Sequence, residues 1–453
     1  MAWISVILKA VAGVFGVWYA TVWLVCGIGY FQLRRKFSHN ERPFPPPPAE
    51  SVVKSFSGVS ILRPLKGIDT EFEACIASAF EQTYSTFEIL LCVDEASDPA
   101  IPVVRKIMSR YPHIPSRLFI GAEKYGVNPK VNNLIRAYDE AQYDTLWVLD
   151  SNVWITPGAM ARAVAAFEAN PRIQLVHHLP ICVAVPPQNW GARLDELFMS
   201  SAHAKFYTAI NTVAVASCVM GKSNLFRRSQ LNKVDASGIR GFAKFIAEDQ
   251  MIGDGLWKRG GRHAMNGDRV VQPVSSSSLK EYFFRRTRWL RVRKYIVTAA
   301  TLVEPMTECF LCGVMGAIAF HVFFAASFGK FLVVHVFTWA LLDCWIFNCI
   351  HSSPNIDLAD ADQAQAATTI ASSLSYSQTP AFARPNAATA AHRGLPNWLL
   401  TWFLREALAL PIWITAMLGT RIEWRNRLFY IKPDTTAVEI QSSVDARRKT
   451  LGW

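Results

Sequence analysis

The sequence predicts an α/β domain with a mostly parallel sheet, carried beside transmembrane and interfacial helices. Two observations lead there. Short apolar strands alternate with amphipathic stretches between residues 58 and 178, the pattern of a sheet covered by helices on both faces. Apolar runs of membrane-spanning length stand near the amino end and beyond residue 307. They account for a mean hydropathy of +0.16, high for a soluble chain.

AVAGVFGVWYATVWLVCGIGYF (10–31) is too long for a secretory h-region and has no small-residue cleavage pattern. Residues 1–36 therefore read as an uncleaved transmembrane anchor with the basic flank QLRRK, which places residues 37–306 in the cytosol. Residues 37–57 hold PFPPPP, a stiff spacer. The cytosolic domain spans 58–280. Its strand candidates are GVSILR (58–63), FEILLCV (87–93), RLFIGA (117–122), TLWVLD (145–150) and IQLVHH (173–178). Helical patterns at 69–82, 99–111, 128–142 and 157–169 lie between them. Beyond residue 190 the alternation fades.

Residues 281–306 read as a basic helix lying on the membrane surface, and 307–351 as transmembrane helices. Residues 352–394, rich in Ala, Ser, Thr and Gln, read as a disordered loop. Segment 395–420 carries Arg405 and Glu406 at its middle, which is costly in lipid unless they are paired or face a cavity. A full span there would put RIEWRNR in the lumen, so a membrane-embedded or re-entrant segment, followed by a cytosolic basic tail at 421–453, is expected.

Nine cysteines show no paired framework, which fits a reducing compartment. Cys309 and Cys312 form a lone CxxC inside an apolar run and read as packing thiols rather than a zinc site. The net charge of +12 suits nucleic acid, anionic lipid or a polyanionic substrate. No nucleic-acid-binding signature accompanies it, and much of it flanks the apolar runs, so the bilayer is the expected partner.

In open α/β sheets ligands bind beyond the carboxyl ends of the strands. Asp94 and Glu95 end the second strand candidate and Asp150 ends the fourth. Singly, such residues cap helices. Jointly, at one mouth of the sheet, carboxylates can hold a hard divalent cation that also grips phosphate oxygens. A third carboxylate comes from FIAEDQMIGD, where spacing does not choose between Glu248 and Asp249. In EYFFRRTRWLRVRKY (281–295), Arg285, Arg288 and Trp289 share a helix face. Their guanidinium groups could bind a diphosphate bidentately. Arg291, Arg293 and Lys294 read as a cationic collar at the membrane surface.

This ordered series resembles the D, D, D, (Q/R)xxRW set of membrane-embedded family 2 glycosyltransferases. GVSILRPLKGID, LLCVDEASDPA, RLFIGAEKYGVNPKVNNL, IAED and RTRW resemble the ceramide glucosyltransferases within it. The resemblance implies a GT-A, Rossmann-like catalytic domain facing the cytosol from the Golgi or endoplasmic reticulum membrane. It implies inverting transfer of glucose from UDP-glucose to the primary hydroxyl of ceramide. Arg63, Lys66 and Asp94 or Glu95 would line the uridine end, with Lys130 near the donor. Asp150 would bind Mn2+ or Mg2+ through the diphosphate. Asp249 would be the general base, Arg285 or Arg288 would meet leaving-group charge, and Trp289 would pack at the interface or under a substrate. His203 and Cys218 would lie toward the acceptor. Asp150-Ser151-Asn152 stands in place of a DxD, so one carboxylate and phosphate oxygens would share the metal. Rival readings are another lipid acceptor (a sterol or polyisoprenyl phosphate), a growing polysaccharide, or a non-catalytic scaffold. An acceptor as apolar as ceramide would need a lipid-sized apolar cavity leading from the span near residue 307 to Asp249.

Overall fold

The computed structural model describes residues 2–37, 57–352, 379–384, 391–424 and 427–440. The PFPPPP spacer, most of the 352–394 loop and the end of the tail lie outside the described residues.

Seven strands form the main sheet: β1 (Val59–Leu65), β2 (Phe87–Val93), β3 (Ser116–Ile120), β4 (Thr145–Leu149), β5 (Ile173–Ala184), β6 (Ser223–Arg227) and β7 (Arg262–Val274). Their order is β3-β2-β1-β4-β6-β5-β7. Strands β1 to β4 run parallel, and β6 is antiparallel to both its neighbours. Helices α1 (Ala2–Phe37), α2 (Phe72–Phe80), α3 (Ala100–Arg110), α4 (Pro129–Glu140) and α5 (Ala159–Ala169) follow, the last four close to the predicted stretches. This is the α/β arrangement expected, with β6 and β7 added from the region where the periodicity faded.

Every residue of β1, β2 and β4 is buried, because both faces of the sheet are covered. Successive side chains go to opposite faces. Ile61 and Ile89 join Trp147 and Phe167 on one side, while Leu62 and Leu90 join Leu134 and Phe226 on the other. Strand β1 lies between β2 and β4, so the chain winds outward in both directions from it. Their carboxyl ends open on one rim, the topological switch point where ligands bind in such sheets.

Among the described residues, the remaining α-helices are α6 (Trp190–Met199), α7 (Ala202–Val213), α8 (Arg228–Val234), α9 (Glu248–Lys258), α10 (Leu279–Ile296), α11 (Thr298–Val303), α12 (Cys309–Phe324), α13 (Phe328–Ser352) and α14 (Leu395–Leu418). The tail forms a three-stranded antiparallel sheet, β8 (Arg421–Trp424), β9 (Arg427–Ile431) and β10 (Ala437–Ile440). Ile422, Phe429 and Ile431 pack it onto Val292 of α10.

Among the described residues, three helices are long and apolar enough to cross a membrane: Trp3–Phe37, Phe328–Ser352 and Leu395–Leu418. A fourth candidate is broken, with Thr298–Thr307 and Cys309–Phe324 bent by 72°. Cys309 and Cys312 are buried free thiols, as read from their apolar run. Segment 395–418 is one continuous helix with Pro411 inside it. Arg405 is paired there with Glu406 and, at 3.3 Å, with Glu308, which answers the cost of burying its charge. The fully buried Lys205 of α7 and Asp343 of α13 pair at 2.7 Å, and Trp402 of α14 donates to the same carboxylate. Helix α1 crosses α7 at Gly29, where a Cβ would collide with the Lys205 carbonyl.

Two expectations need correction. Residues 379–384 and 391–394 are ordered, and Phe382 and His392 are buried. His392 and Arg393 both reach the buried Glu196 on α6, and a buried acid requires such partners. Two of the three collar cations, both half-buried, are also bonded within the protein. Arg291 donates to the carbonyls of Thr415 and Arg421, and Lys294 to those of Met417 and Gly419. They cap the carboxyl end of α14, whose last carbonyls have no partner within the helix.

Candidate active site

The NPKVNN segment (128–133) builds one wall of the rim. Asn128 is the N-cap of α4, accepting the backbone N–H groups of Lys130 and Val131, with Pro129 favoured as the first helical residue. Its amide donates to the Phe245 carbonyl and, at 2.8 Å, to Glu248 Oε2. Asn132 closes the turn before the helix through Tyr125, Gly126 and its own amide donor. Asn133 donates to the carbonyls of Leu65 and Cys92, tying α4 to the ends of β1 and β2. The asparagines are structural, and their work aims Lys130 into the rim.

Lys130 Nζ stands 2.9 Å from Asp150 Oδ1 and 2.9 Å from Glu248 Oε1. Burial disfavours its charge, but Asp150, Glu248 and Asp249 outweigh that and hold the ammonium form. Strand β6 delivers a second lysine. Its antiparallel register sets Ser223 opposite Leu149, so Lys222 lies beside Asp150, with Nζ 3.4 Å from Oδ2. Burial would raise the Asp150 pKa, and the two lysines pull it below the usual carboxylate range.

Asp249 opens α9, where an acidic residue suits the positive end of the helix dipole. It lies against Gly221: a Cβ there would be 2.9 Å from Asp249 Oδ2 and 3.3 Å from Lys130 Nζ. Gln250 holds this contact by accepting from Val219 N–H and donating to the Ser217 carbonyl. Burial and the neighbouring Glu248 push the Asp249 pKa up to about 7, against the pull of Lys130. The structure thus separates the two adjacent acids. Both oxygens of the buried Glu248 are engaged by Asn128 and Lys130, whereas Asp249 is a half-buried carboxyl with its pKa pushed up to about 7.

The other expected residues fall in several places. Arg63 is 0% exposed, and its Nη2 donates to the carbonyls of Asp150, Ser151 and Val153. It shapes the Asp150 turn from beneath and does not line a ligand surface, a correction to its donor-binding reading. Lys66 and Glu95 are exposed and Asp94 half-buried, at the ends of β1 and β2. The Asp94 strand end is two strands from that of Asp150, or about 10 Å across the sheet. Asp94 faces Arg427 of β9 electrostatically.

Arg285 pairs with Asp195 of α6 and lies 3.3 Å from Ser277 Oγ. Asp195 feels both Arg285 and Lys222, so this pair borders the Asp150 cluster. Arg288 is half-buried on the same helix, and Trp289 packs into the cluster around Phe198, Leu290 and Ile412. The ring of His203 stacks on Tyr207 at 5.0 Å. Burial, with Arg286 and Arg293 nearby, pushes its pKa down to about 3, so it is neutral. Tyr207 Oη accepts the Met220 N–H at 3.3 Å, one residue from Gly221. Burial pushes the Cys218 thiol up to about 11, which disqualifies it as a nucleophile at neutral pH.

Sequence reading missed Lys222, Asp195 and Gly221. Lys222 was hidden because SNLFR is too short to announce a strand. The adjacent acids of WGARLDELFM, on a helix otherwise mostly apolar, were a usable signal for Asp195.

A divalent cation would meet hard oxygen donors here, which suits Mn2+ or Mg2+. Asp150 offers one carboxylate with Asn152 Oδ1 close by, linked through Lys222. No three His, Cys, Asp or Glu side chains among the described residues form a metal-holding group. Each Asp150 oxygen already faces a lysine, so these residues make no closed cage, and a cation would share that carboxylate with Lys130 and Lys222 and take its remaining donors from a diphosphate.

The family model described as Glycosyl transferase family 21 matches residues 19–437. A ceramide glucosyltransferase of Komagataella phaffii is 40% identical over 96% of this chain and 92% of its own length. One from Pyricularia oryzae is 35% identical over 94% of each chain. Among solved structures, a mannosyltransferase from Pyrobaculum calidifontis in complex with GDP-Man and Mn2+ is 18% identical, with a TM-score of 0.46. That alignment covers 91% of this chain and 98% of the other. On the extent of the family match and the identity to these relatives, the chain belongs to glycosyltransferase family 21.

Proposed function

We propose that the protein transfers glucose from UDP-glucose to the primary hydroxyl of ceramide with inversion, forming β-glucosylceramide at the cytosolic face of a Golgi or endoplasmic reticulum membrane. The observation that carries this reading is Asp249: a half-buried carboxyl with its pKa pushed up to about 7, beside a lysine-neutralised acidic cluster at the sheet's switch point, in a chain with membrane-length helices. Relatives bearing the name ceramide glucosyltransferase along nearly the whole chain support the substrate class.

Asp249 takes the proton of the ceramide hydroxyl as its oxygen bonds to the anomeric carbon. The bond from that carbon to the diphosphate breaks on the opposite face, and its electron pair leaves with UDP. Lys130 and Lys222 stand where they meet the developing negative charge, with Arg285 at the border. Arg288 and Trp289, on the same helix, complete the wall that closes over the donor. A divalent cation held by Asp150 and the phosphates would supply further neutralisation of the leaving group. Lys66, Asp94 and Glu95 form the outer rim toward the nucleoside.

The test incubates membranes containing the protein with UDP-glucose or UDP-galactose, fluorescent ceramide, and Mn2+ or Mg2+. The expected result is β-glucosylceramide, dependent on UDP-glucose. Transfer only to a sterol or polyisoprenyl phosphate overturns the acceptor assignment. UDP binding without transfer to any acceptor overturns the enzymatic reading.

A further inference from the structure

The lipid-sized apolar cavity expected between the span near residue 307 and Asp249 is not formed where α10 meets α14. The space there is about 20 Å3, room for one water. The membrane-length helices reach the candidate base another way, through a strap of chain at 214–222 that is neither helix nor strand. Backbone outside regular elements must find its hydrogen bonds elsewhere, so the ties on this strap show what holds it.

On the catalytic side, Val219 N–H donates to Gln250 Oε1 at 2.9 Å, and the Ser217 carbonyl accepts from Gln250 Nε2. The Gly221 carbonyl accepts from Lys130 Nζ at 3.2 Å, and the Lys222 carbonyl from Asp150 N–H at 3.1 Å. The strap thereby lays Gly221 on Asp249 and sets Lys222 against Asp150. On its other side stands α7, which packs on the membrane-length helix α1 at Gly29. Asn211 Nδ2 donates to the Cys218 carbonyl at 3.1 Å, and Tyr207 Oη accepts the Met220 N–H at 3.3 Å. Because that oxygen accepts from Met220, its own proton goes to His177 Nδ1, 2.6 Å away on β5. His177 is fully buried, and burial holds its pKa well below the ordinary value. The ring is therefore neutral and keeps a lone pair for this bond. A phenol bonded on both sides holds Met220, and with it Gly221, at a fixed height over Asp249.

Resting on the assignment of Asp249 as base, we propose that Tyr207, oriented by His177, is a positioning residue for the transfer reaction. It fixes the strap that covers Asp249 and delivers Lys222, and so ties the site to the helix packed on α1.

Tyr207→Phe keeps the ring and removes only the hydroxyl. The strap then loses its tie at Met220, and water gains access to Asp249. The Asp249 pKa is raised to about 7 by burial first, with Glu248 and Asp150 adding to the rise and Lys130 opposing it. The full-length variant in nanodiscs should lose about tenfold in kcat through misplacement of the base. Its acidic limb should move below 7, toward the ordinary carboxylate range. Tyr84→Phe removes a hydroxyl bonded to the Ser57 carbonyl, at the end of β1 away from the rim, and should leave the limb in place. A folded Tyr207→Phe whose midpoint stays at the wild-type pH overturns the inference, whatever happens to Tm, and so does the same shift in Tyr84→Phe. Should Tyr207→Phe fail to fold, Asn211→Leu, which cuts the neighbouring tie to Cys218, is judged by the same midpoint. Full turnover in Asp249→Asn removes the base assignment and the inference with it. A wild-type limb near 7 that Tyr207→Phe leaves unmoved removes the inference alone.

Discussion

Replacing Lys130 with methionine keeps an apolar stem and deletes the ammonium that stands 2.9 Å from both Asp150 and Glu248. The position of a Cβ at Gly221, 2.9 Å from Asp249 Oδ2 and 3.3 Å from Lys130 Nζ, limits the separation of those two atoms to about 6 Å. At that distance and an effective dielectric near 20, Lys130 favours ionised Asp249 by roughly 3 kcal/mol, equivalent to about two pH units. Asp249 titrates near 7 with Lys130 in place. The base must be unprotonated to act, so turnover rises with pH through that value. In Lys130→Met the acidic limb of kcat should move up to about pH 9, and activity lost at pH 7 should return in part on raising the pH. Lys130→Arg should keep the limb near 7, and Glu248→Gln, which removes a neighbouring anion, should lower it. The assay is a pH profile at saturating UDP-glucose and fixed metal concentration. A Lys130→Met profile reduced in height with an unmoved midpoint would refute the coupling and confine Lys130 to donor binding.

Gly221→Ala should push Asp249 from its seat and cut kcat by about tenfold or more, with UDP-glucose KM little changed. Arg285→Ala leaves Asp195, 2% exposed, without its cation, at a cost of about 3–5 kcal/mol in stability. Arg293→Ala breaks a pair whose arginine is 44% exposed and should cost under about 1 kcal/mol. Thermal melts compare the two, and equal losses would contradict the assignment. Burial would raise the Glu196 pKa, yet His392 and Arg393 bring it from 4.5 to about 2. A depressed carboxyl stabilises the fold above its unfolded pKa and loses that contribution as pH falls through its folded one. Hydrogen exchange at 391–394 should therefore quicken between about pH 4.5 and 2 in the wild type, and already at neutral pH in Glu196→Gln.

Much of the fold was legible because buried parallel strands are written as unbroken apolar runs. FEILLCV and TLWVLD announce β2 and β4, and the acids that follow mark the rim. Strand β7 was not, since HAMNGDRVV interrupts its apolar pattern with polar residues that the fold buries in pairs, such as Asp268 with Arg162. A count of cations in 281–295 could not say which would be used internally. That depended on where the carboxyl end of α14 lay, and its carbonyls take Arg291 and Lys294. Arg63 shows the same limit. Its place in GVSILRPLKGID is plain, but its inward direction follows from the Asp150 turn packed over it. The choice between Glu248 and Asp249, open in one dimension, rests on Asn128 and Lys130 occupying the first and leaving the second.

The central claim is that Asp249 deprotonates the acceptor. Single-turnover transfer to ceramide by Asp249→Asn, alongside UDP affinity of the same preparation, tests it most directly. Transfer should fall by about 10²–10⁴-fold, the range for loss of a general base, with UDP affinity unchanged. Wild-type transfer in Asp249→Asn, or its loss only in Glu248→Gln, would contradict the account.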